Sequence, residues 1–274
     1  MIPVSPSTPT LPHESTLTPL LKPRVSYLGH ATTMIEIDGL MVLTDPLLRQ
    51  RTAHLRRAMR LRNRAEFETP DVVLISHMHF DHLDLPSLRK IPPATRVIGP
   101  RGSASVLRRA GLNNVIELRP GEKIPVDRVV IEATPADHDG GRPLFGPKGE
   151  AVGYLIHGSS TIYFAGDTDL FDEMSSLVQT LDVALLPVWG WGPSLGDGHM
   201  DPLRAAQALT MLQPRFAIPI HWGTLCPIGL KWTRPDFLTR PPREFVRAAR
   251  LHAPDVEVRV VKPGERLEFP HKIS

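Results

Sequence analysis

Three histidines and one aspartate occur within six consecutive residues, directly after a short apolar run. They belong to the segment Ser76-His77-Met78-His79-Phe80-Asp81-His82. The apolar run predicts a buried strand. Because His77 and His79 are two positions apart, extended backbone would point both to the same side, while Asp81 and His82 can face a second point nearby. Imidazole nitrogens and carboxylate oxygens are ligands for zinc, manganese and iron. One metal cannot easily take four ligands from so short a segment, so the spacing predicts two adjacent metals.

This segment resembles the metal-binding signature of the metallo-β-lactamase-fold hydrolases. The resemblance implies three further ligands: a histidine after a later strand, an aspartate that bridges two metals, and a last histidine near the C-terminus. His138, Asp167 and His221 each follow a predicted strand and match these three places. A carboxylate can bridge two cations held about 3.5–4 Å apart, as two-metal hydrolysis requires. By resemblance, the first metal takes His77, His79 and His138, the second takes Asp81, His82 and His221, and Asp167 bridges them.

Other polar residues have expected roles around this ligand set. Asp45 precedes a proline and is either a turn residue or the acceptor that fixes the tautomer of a ligating histidine. His30 is either a support behind the ligands or a packed residue. His199 is a candidate to donate a hydrogen bond or proton to the departing oxygen. Asp81 is expected to orient the attacking hydroxide besides binding metal.

Length and composition fit a globular protein, with 274 residues of which 41% are hydrophobic, enough for a substantial core. No apolar run is long enough to span a bilayer. The N-terminus lacks an apolar signal core, and the single cysteine, Cys226, cannot form an internal disulfide, so we expect a cytoplasmic protein. Residues 1–23 are rich in Pro, Ser and Thr and predict a flexible arm. Residues 24–274 are expected to form a single domain.

Basic residues are unevenly placed, although the net charge is only +3. Seven arginines and no acid lie between Arg49 and Arg64, which we call the basic segment. Apolar residues recur at helical spacing over residues 47–64 and predict an amphipathic helix. This helix is either a solvated element on the core or a basic lip that attracts phosphate or anionic lipid head groups. The expected partner is therefore a small anionic substrate or a phospholipid head group, and peripheral membrane contact is left open.

Predicted strands and helices alternate along the chain, and every proposed ligand falls at a strand end. Strands are predicted over residues 25–28, 33–37, 40–44, 72–75, 96–99, 115–118, 129–133, 151–157, 161–165, 183–187, 216–220 and 256–260, and helices over 103–110, from 170 onward, 202–212 and 241–251. Asp38-Gly39 predicts a hairpin turn, Asp201 caps the third helix, and Asp169 is expected to cap the second. Residues 189–193 form either a pocket wall or a loop with buried tryptophans. The pattern is compatible with an α/β (α+β) protein, and the resemblance implies a four-layer αββα sandwich.

Further motifs narrow the resemblance, which covers residues 24–262. They are Gly29-His30-Ala31-Thr32, Leu43-Thr44-Asp45-Pro46, Gly166-Asp167-Thr168-Asp169, Gly198-His199-Met200-Asp201-Pro202 and His221-Trp222-Gly223-Thr224. Together they are similar to the branch that contains N-acyl-phosphatidylethanolamine-hydrolysing phospholipase D and ascorbate-6-phosphate lactonase. This implies a hydrolase with two divalent metal ions, zinc ahead of manganese or iron, whose bridging hydroxide attacks a phosphodiester or similar anionic ester. The membrane-facing hydrophobic helices of the lipid enzyme have no match in the basic segment.

Three other functions compete with a phosphodiesterase. A lactonase or amide hydrolase would use the same two metals on a carbonyl carbon, and phosphorylated lactones also suit basic surroundings. A nuclease is less favoured, because the stretch between Asp167 and His221 is too short for the inserted domain of the RNA-processing members, and the basic segment lacks interleaved aromatics. Nucleic acid is therefore not expected as a partner. A non-catalytic metal protein is least favoured, since no ligand is missing.

Overall fold

The computed structural model describes residues 22–59, 67–142, 148–230 and 235–270. The strands are β1 Arg24–Gly29, β2 Thr32–Ile37, β3 Leu40–Thr44, β4 Arg51–Thr52, β5 Leu55–Arg57, β6 Val72–Leu74, β7 Arg96–Pro100, β8 Asn114–Leu118, β9 Lys123–Val126, β10 Val129–Pro135, β11 Val152–His157, β12 Thr161–Phe164, β13 Val183–Pro187, β14 Phe216–Ile220, β15 Leu225–Pro227, β16 Glu257–Val258 and β17 Glu265–Glu268. The helices are α1 Leu85–Leu88, α2 Ala104–Arg109, α3 Pro202–Leu212 and α4 Arg240–His252, with 3₁₀ turns at Asp172–Ser176 and Pro235–Leu238.

The strands form two large sheets and one small sheet. The seven-stranded sheets run in the orders β17-β1-β2-β3-β6-β7-β8 and β16-β14-β13-β12-β11-β10-β9, and the third sheet is β15-β5-β4. In the first sheet β3, β6, β7 and β8 are parallel, and in the second β12, β13, β14 and β16 are parallel. Because parallel strands end at the same edge of a sheet, residues that follow β3 and β6 share one edge of the first sheet, and residues that follow β12 and β14 share one edge of the second.

Side chains that alternate along the first sheet enter two different hydrophobic layers. Val72 and Leu74 belong to the core shared with the second sheet, whereas Val73 and Ile75 join a separate cluster that includes Leu107 of α2. Buried residues of α3 and α4 belong to the same connected cluster as residues of the second sheet. The layers therefore run helices, sheet, sheet, helices, and the predicted αββα sandwich is confirmed.

Two local predictions from turn and cap chemistry are also confirmed. Asp38 and Gly39 both have positive φ, at 51° and 86°, which is the backbone of a tight hairpin turn. Asp201 accepts a hydrogen bond from the Arg204 amide at 2.8 Å, with Pro202 at the first helical position. Both signals act within a few residues, so they do not depend on the rest of the fold.

The amphipathic helix predicted over residues 47–64 is wrong for the part that the structure describes. Residues 51–57 form the hairpin of β4 and β5, and β15 from far along the chain pairs with β5. Thr52, Leu55 and Arg57 are buried while Arg56 is exposed, so burial alternates with the period of a strand. Pairing of β5 with β4 and β15 therefore makes this segment a hairpin, although the spacing of its apolar residues suits a helix. Residues 60–64 of the basic segment lie outside the described residues.

Asp169 does not cap a helix. The next turn begins at Asp172, preceded by Phe171, and the Asp169 carboxylate instead accepts from the Leu170 amide and from Arg204 of α3. Arg204 is 35 positions away along the chain, so the local sequence around Asp169 does not reveal this contact. The carboxylate binds Arg204 instead of capping a helix.

Some predicted boundaries changed and some predictions stay open. The strand predicted over residues 256–260 is shortened to Glu257–Val258, and β9 and β17 were not predicted. The arm predicted over residues 1–23 lies outside the described residues except for its last two, and the single domain over residues 24–274 stays a prediction. No helix in the described ranges is long and apolar enough to cross a membrane.

Candidate metal centre

The loop after β6 brings two predicted ligands together with a third from the second sheet. His77 Nε2 lies 3.0 Å from His79 Nδ1, and His79 Nδ1 lies 3.2 Å from His138 Nε2. The chain turns sharply after this pair, because the amides of His82 and Leu83 both donate to the carbonyl of His79. The three nitrogens form a first cluster, composed of His77, His79 and His138, that could hold a metal ion.

A second cluster contains Asp81, His82 and His221 together with His30. His82 Nε2 and His221 Nε2 are 3.1 Å apart, and His30 Nε2 is 2.9 Å from Asp81 Oδ2. His30 is buried, and its backbone carbonyl accepts from the His221 amide at 2.7 Å. His30 therefore contacts two members of this cluster, one through its ring and the other through its backbone.

Asp167 lies between the clusters, directly after Gly166. Its Oδ2 is 3.1 Å from His82 Nε2 and 3.5 Å from His199 Nε2, and its Oδ1 is 3.3 Å from His221 Nε2. A carboxylate oxygen of Asp167 and a ring nitrogen of His138 also belong to one compact group. A Cβ on Gly166 would meet the Ser76 Cβ at 2.6 Å, and φ is +63° there. Glycine thus lets the strand end approach the ligand loop closely.

Asp45 holds the ligand loop from behind. Its Oδ2 is 2.7 Å from His82 Nδ1, and its Oδ1 accepts from the Ser76 amide at 2.8 Å. The Ser76 hydroxyl contacts Asp45 Oδ2 at 2.5 Å and His77 Nδ1 at 2.9 Å. Because a carboxylate only accepts, His82 carries its proton on Nδ1 and presents Nε2 to the cluster.

Two backbone carbonyls orient other imidazoles in the same way. His138 Nδ1 donates to the carbonyl of Gly198 at 2.8 Å, and His221 Nδ1 donates to the carbonyl of Trp189 at 2.5 Å. A carbonyl cannot donate, so each ring must be protonated on Nδ1. In the neutral rings the lone pairs on Nε2 therefore point into the site.

Three residues of the site have left-handed backbone although none is glycine. The φ angles are 60° for His30, 32° for Asp45 and 62° for His221. Such backbone is uncommon outside glycine and costs of order 1–3 kcal/mol per residue, and it clusters at functional sites. The surrounding fold therefore stabilises three strained residues that place side chains in or behind the clusters.

Burial keeps most of the imidazoles neutral. It lowers the pKa of His77 and His221 well below the usual range, and it lowers the pKa of His79 to about 4. The pKa values of His30 and His138 are also lowered, again mainly by burial. Neutral imidazole is the form that binds a metal.

The pKa values of the carboxylates are lowered, whereas those of the neighbouring imidazoles of His82 and His199 are raised. Burial acts to raise the pKa of Asp81 and Asp167, but neighbouring imidazoles, led by His82 for Asp81, lower both pKa values. Burial likewise acts to lower the pKa of His82, whereas the carboxylates raise it well above the usual range. For His199, Asp167 outweighs burial and raises the pKa to about 9. Two ionised carboxylates thus face the centre of the site.

The donor atoms fit metal ions. Asp167 Oδ1 is buried without a hydrogen-bond partner among the described residues, and it faces the unprotonated Nε2 of His221. Two lone pairs that face one another repel, unless a cation lies between them. Ligands at about 2.1 Å from one cation stand roughly 3.0–3.4 Å apart, which matches the 3.0–3.2 Å between ring nitrogens in each cluster.

A cavity of about 380 Å³ opens beside these clusters. The hairpin of β4 and β5 forms one wall and Trp191 another, and the lining residues are Thr52, Ala53, His54, Leu55, His79, Phe80, Asp81, Asp167, Trp191 and His199. The His54 ring meets the Trp191 ring edge to face, with centroids 5.0 Å apart. The Thr52 hydroxyl donates to the carbonyl of Phe80 at 3.2 Å, which ties the hairpin to the ligand loop. The loop over residues 189–193 therefore contributes a pocket wall.

Two arginines of the basic segment have structural contacts. Arg49 pairs with Asp84 at 2.6 Å. Arg57 is 6% exposed, and its guanidinium donates to the carbonyls of Leu28, Leu47 and Arg49. None of the described residues that line the cavity is Arg or Lys. Arg49 and Arg57 therefore do not form the basic lip, whereas Arg51 and Arg56 are exposed on the hairpin and a lip formed by them stays a prediction.

The chain is similar to known proteins over most of its length. A family model described as a beta-lactamase superfamily domain matches residues 41–222. This chain belongs to the metallo-β-lactamase superfamily. It is similar to the UPF0173 metal-dependent hydrolases of Methanopyrus kandleri, with 34% identity over 89% of this chain and 99% of that protein, and of Rubrobacter xylanophilus, with 32% identity over 89% and 96%.

A solved structure supports the same assignment. Igni18, a metallo hydrolase from Ignicoccus hospitalis, superposes with a TM-score of 0.71 at 27% identity, covering 92% of this chain and 100% of that one. This chain is thus a metal-dependent hydrolase of the metallo-β-lactamase superfamily, with histidine and aspartate clusters able to bind metal.

All predicted site residues come together at one edge of the two sheets, and the structure adds others. Ser76 and the hairpin residue Thr52 contact the site or its cavity. The sequence carried no comparable signal for them, because serine and threonine in loops are common. The carbonyls that orient His138 and His221 leave no trace in residue type at all.

Proposed function

We propose that this metal-dependent hydrolase holds two divalent cations, zinc ahead of manganese or iron, and cleaves a small ester-type substrate in the cavity. The first cation would be held by His77, His79 and His138, the second by Asp81, His82 and His221, with Asp167 shared. The Oδ1 atom of Asp167 carries this proposal: among the described residues it has no hydrogen-bond partner, and it lies 3.3 Å from the unprotonated Nε2 of His221. Two lone pairs that face one another in a buried site are stabilised by a cation between them. Bound cations of this kind supply hydroxide at neutral pH and stabilise negative charge that develops on the substrate.

Residues of the chain have separate tasks in this reaction. Asp81 would orient the attacking oxygen, and the His30 ring, 2.9 Å from Asp81 Oδ2, would fix the direction of its carboxylate. His199 lines the cavity, and its Nε2 lies 3.5 Å from Asp167 Oδ2. From that position His199 Nε2 would donate a hydrogen bond or a proton to the departing oxygen.

The described walls of the cavity favour a carbonyl substrate. They combine Leu55, Phe80 and Trp191 with histidines and carry no Lys or Arg, so they suit an apolar or planar group next to the reacting bond. A lactone, ester or amide with such a group fits these walls without a separate cation for a charged group. We therefore rank acyl hydrolysis first.

A phosphodiester is the second candidate. It is supported by the resemblance to the phospholipase D and ascorbate-6-phosphate lactonase branch, and two cations would neutralise a phosphate at the reaction centre itself. The structural contacts of Arg49 and Arg57 weaken the expectation of an anionic substrate that the basic segment supports.

Turnover by protein loaded separately with zinc, manganese and iron would test the proposal. The substrates are phenyl acetate, methyl acetate, a γ-lactone and bis(p-nitrophenyl) phosphate, with Asp167→Asn alongside. We expect metal-dependent cleavage of phenyl acetate or the lactone. Trp191→Ala should raise KM for phenyl acetate by about tenfold, by loss of aromatic contact, and leave methyl acetate unchanged. Cleavage of the phosphodiester alone would reverse the ranking, and no metal-dependent cleavage of any substrate would reject the proposal.

A further inference from the structure

A larger cavity, of about 660 Å³, lies beside the residues that directly follow His221. We call it the α4 groove, since α4 lines it with Pro242, Arg243 and Val246, opposite Trp222. Its volume falls within the roughly 300–1,000 Å³ that is usual for small-molecule sites. The metal clusters and their substrate cavity do not use it.

Exposed apolar side chains line this groove. Met59 is 48% exposed and Val260 is 40% exposed, and both are among the few large hydrophobic residues exposed in the described ranges. With Trp222, Leu238 and Val246 they make a largely apolar wall. An apolar patch with concave shape marks a place where an apolar ligand or partner removes surface from water.

Two basic side chains line the same groove. Arg243 and Lys262 line it and are exposed, and neither has an ion pair with another described residue. The contrast within α4 is informative, because Arg240 faces the carboxylates of Asp236 and Glu244 at 3.9 Å and 3.4 Å. An apolar cleft with two basic side chains that have no ion pair among the described residues is complementary to a molecule that has an apolar body and an anionic head.

We propose that the α4 groove binds a free single-chain amphiphile with a carboxylate head. The chain would lie against Trp222, Val246 and Val260, and the head would contact Arg243 and Lys262. A concave site encloses one chain on several sides, whereas a bilayer offers a flat surface, so the shape favours the free molecule. This binding needs neither the metal ions nor turnover, so it can be tested independently of the proposed reaction.

Calorimetric titration of the full chain with octanoate, decanoate and dodecanoate tests the groove. Affinity should rise about fourfold for each methylene that is buried. Decanol and decyltrimethylammonium serve as head-group controls and should bind at least tenfold more weakly than decanoate. Arg243→Glu should weaken decanoate at least tenfold, and the matched variant Arg250→Glu, an exposed arginine on the same helix but outside the groove, should leave its affinity unchanged.

Other results would overturn the proposal. Absence of saturable decanoate binding would do so, as would equal affinity for decanol and decanoate. Binding to anionic vesicles that Arg243→Glu abolishes, without binding of free decanoate, would assign the groove to a membrane. Sedimentation that shows a dimer of the parent chain and a monomer of Val246→Asp, again without decanoate binding, would assign it to a second copy.

Discussion

Replacement of Asp45 by asparagine would reverse the tautomer of His82, one of the proposed metal ligands. The carboxylate accepts from His82 Nδ1 at 2.7 Å and from the Ser76 amide at 2.8 Å. An amide has only one oxygen, so if it keeps the Ser76 amide its NH₂ group faces His82 Nδ1. That nitrogen must then accept, and the ring proton moves to Nε2, the atom that faces His221 and Asp167.

The size of the effect follows from the loss of one donor atom. Changes to the group that orients a metal-bound histidine cost about 10–100-fold in metal affinity, which corresponds to roughly 1.4–2.7 kcal/mol. Asparagine tolerates the φ of 32° at this position, because it visits left-handed backbone more readily than most residues. Backbone strain should therefore add little, and the loss should fall on the cation that His82 would bind.

Competition with a chromophoric chelator would measure the two metal affinities separately. We expect Asp45→Asn to weaken one binding step by the stated factor and to change the other by much less. Asp182→Asn is the matched control, since Asp182 is 5% exposed and accepts from a backbone amide at 2.9 Å without touching the site. Unchanged affinities in Asp45→Asn would refute the reasoning, and an equal loss in Asp182→Asn would attribute it to general destabilisation.

Further predictions concern the carboxylate proposed to bridge the metals, the glycine that precedes it, and metal removal. Asp167→Asn should remove most metal-dependent turnover while circular dichroism stays that of the parent, and full activity in this variant would sink the bridging role. Gly166→Ala should destabilise the fold by about 2 kcal/mol in denaturant titration, because the new Cβ would lie 2.6 Å from the Ser76 Cβ at a φ of +63°; an unshifted midpoint would contradict this. Chelation should lower the free energy of unfolding by about 4 kcal/mol relative to protein in free metal at 1,000 times Kd, and an equal melting temperature with and without metal would show that metal does not stabilise the fold.

The strands and most of the candidate ligand positions could be predicted because their signals are local. An apolar run that ends in His77, Asp167 or His221 identifies a strand and the residue at its end, and parallel strand ends meet at one sheet edge. The hairpin turn at Asp38 and the helix cap at Asp201 are also set by residues within a few positions. The grouping of ligands into two clusters came from resemblance, and the observed distances are consistent with it.

Other features depend on contacts between distant residues and could not be predicted locally. The segment around Leu55 has apolar spacing that suits a helix, but pairing with Leu225–Pro227 makes it a strand. One of two interpretations of its arginines is a surface for anions, yet Arg57 is buried and donates to three backbone carbonyls. Composition gives the number of charges in a segment, whereas only packing decides which of them reach solvent or substrate.

The sequence by itself determined the chemistry of this protein: strand-ending histidines and aspartates whose types suit metal ions. Those identities follow from residue type and short-range spacing, which need no knowledge of distant parts of the chain. Only the tertiary structure decided that Gly198 and Trp189 carbonyls orient His138 and His221, and which residues form the cavity wall. These depend on backbone groups and on approaches between distant segments, and every residue carries the same backbone carbonyl regardless of its side chain.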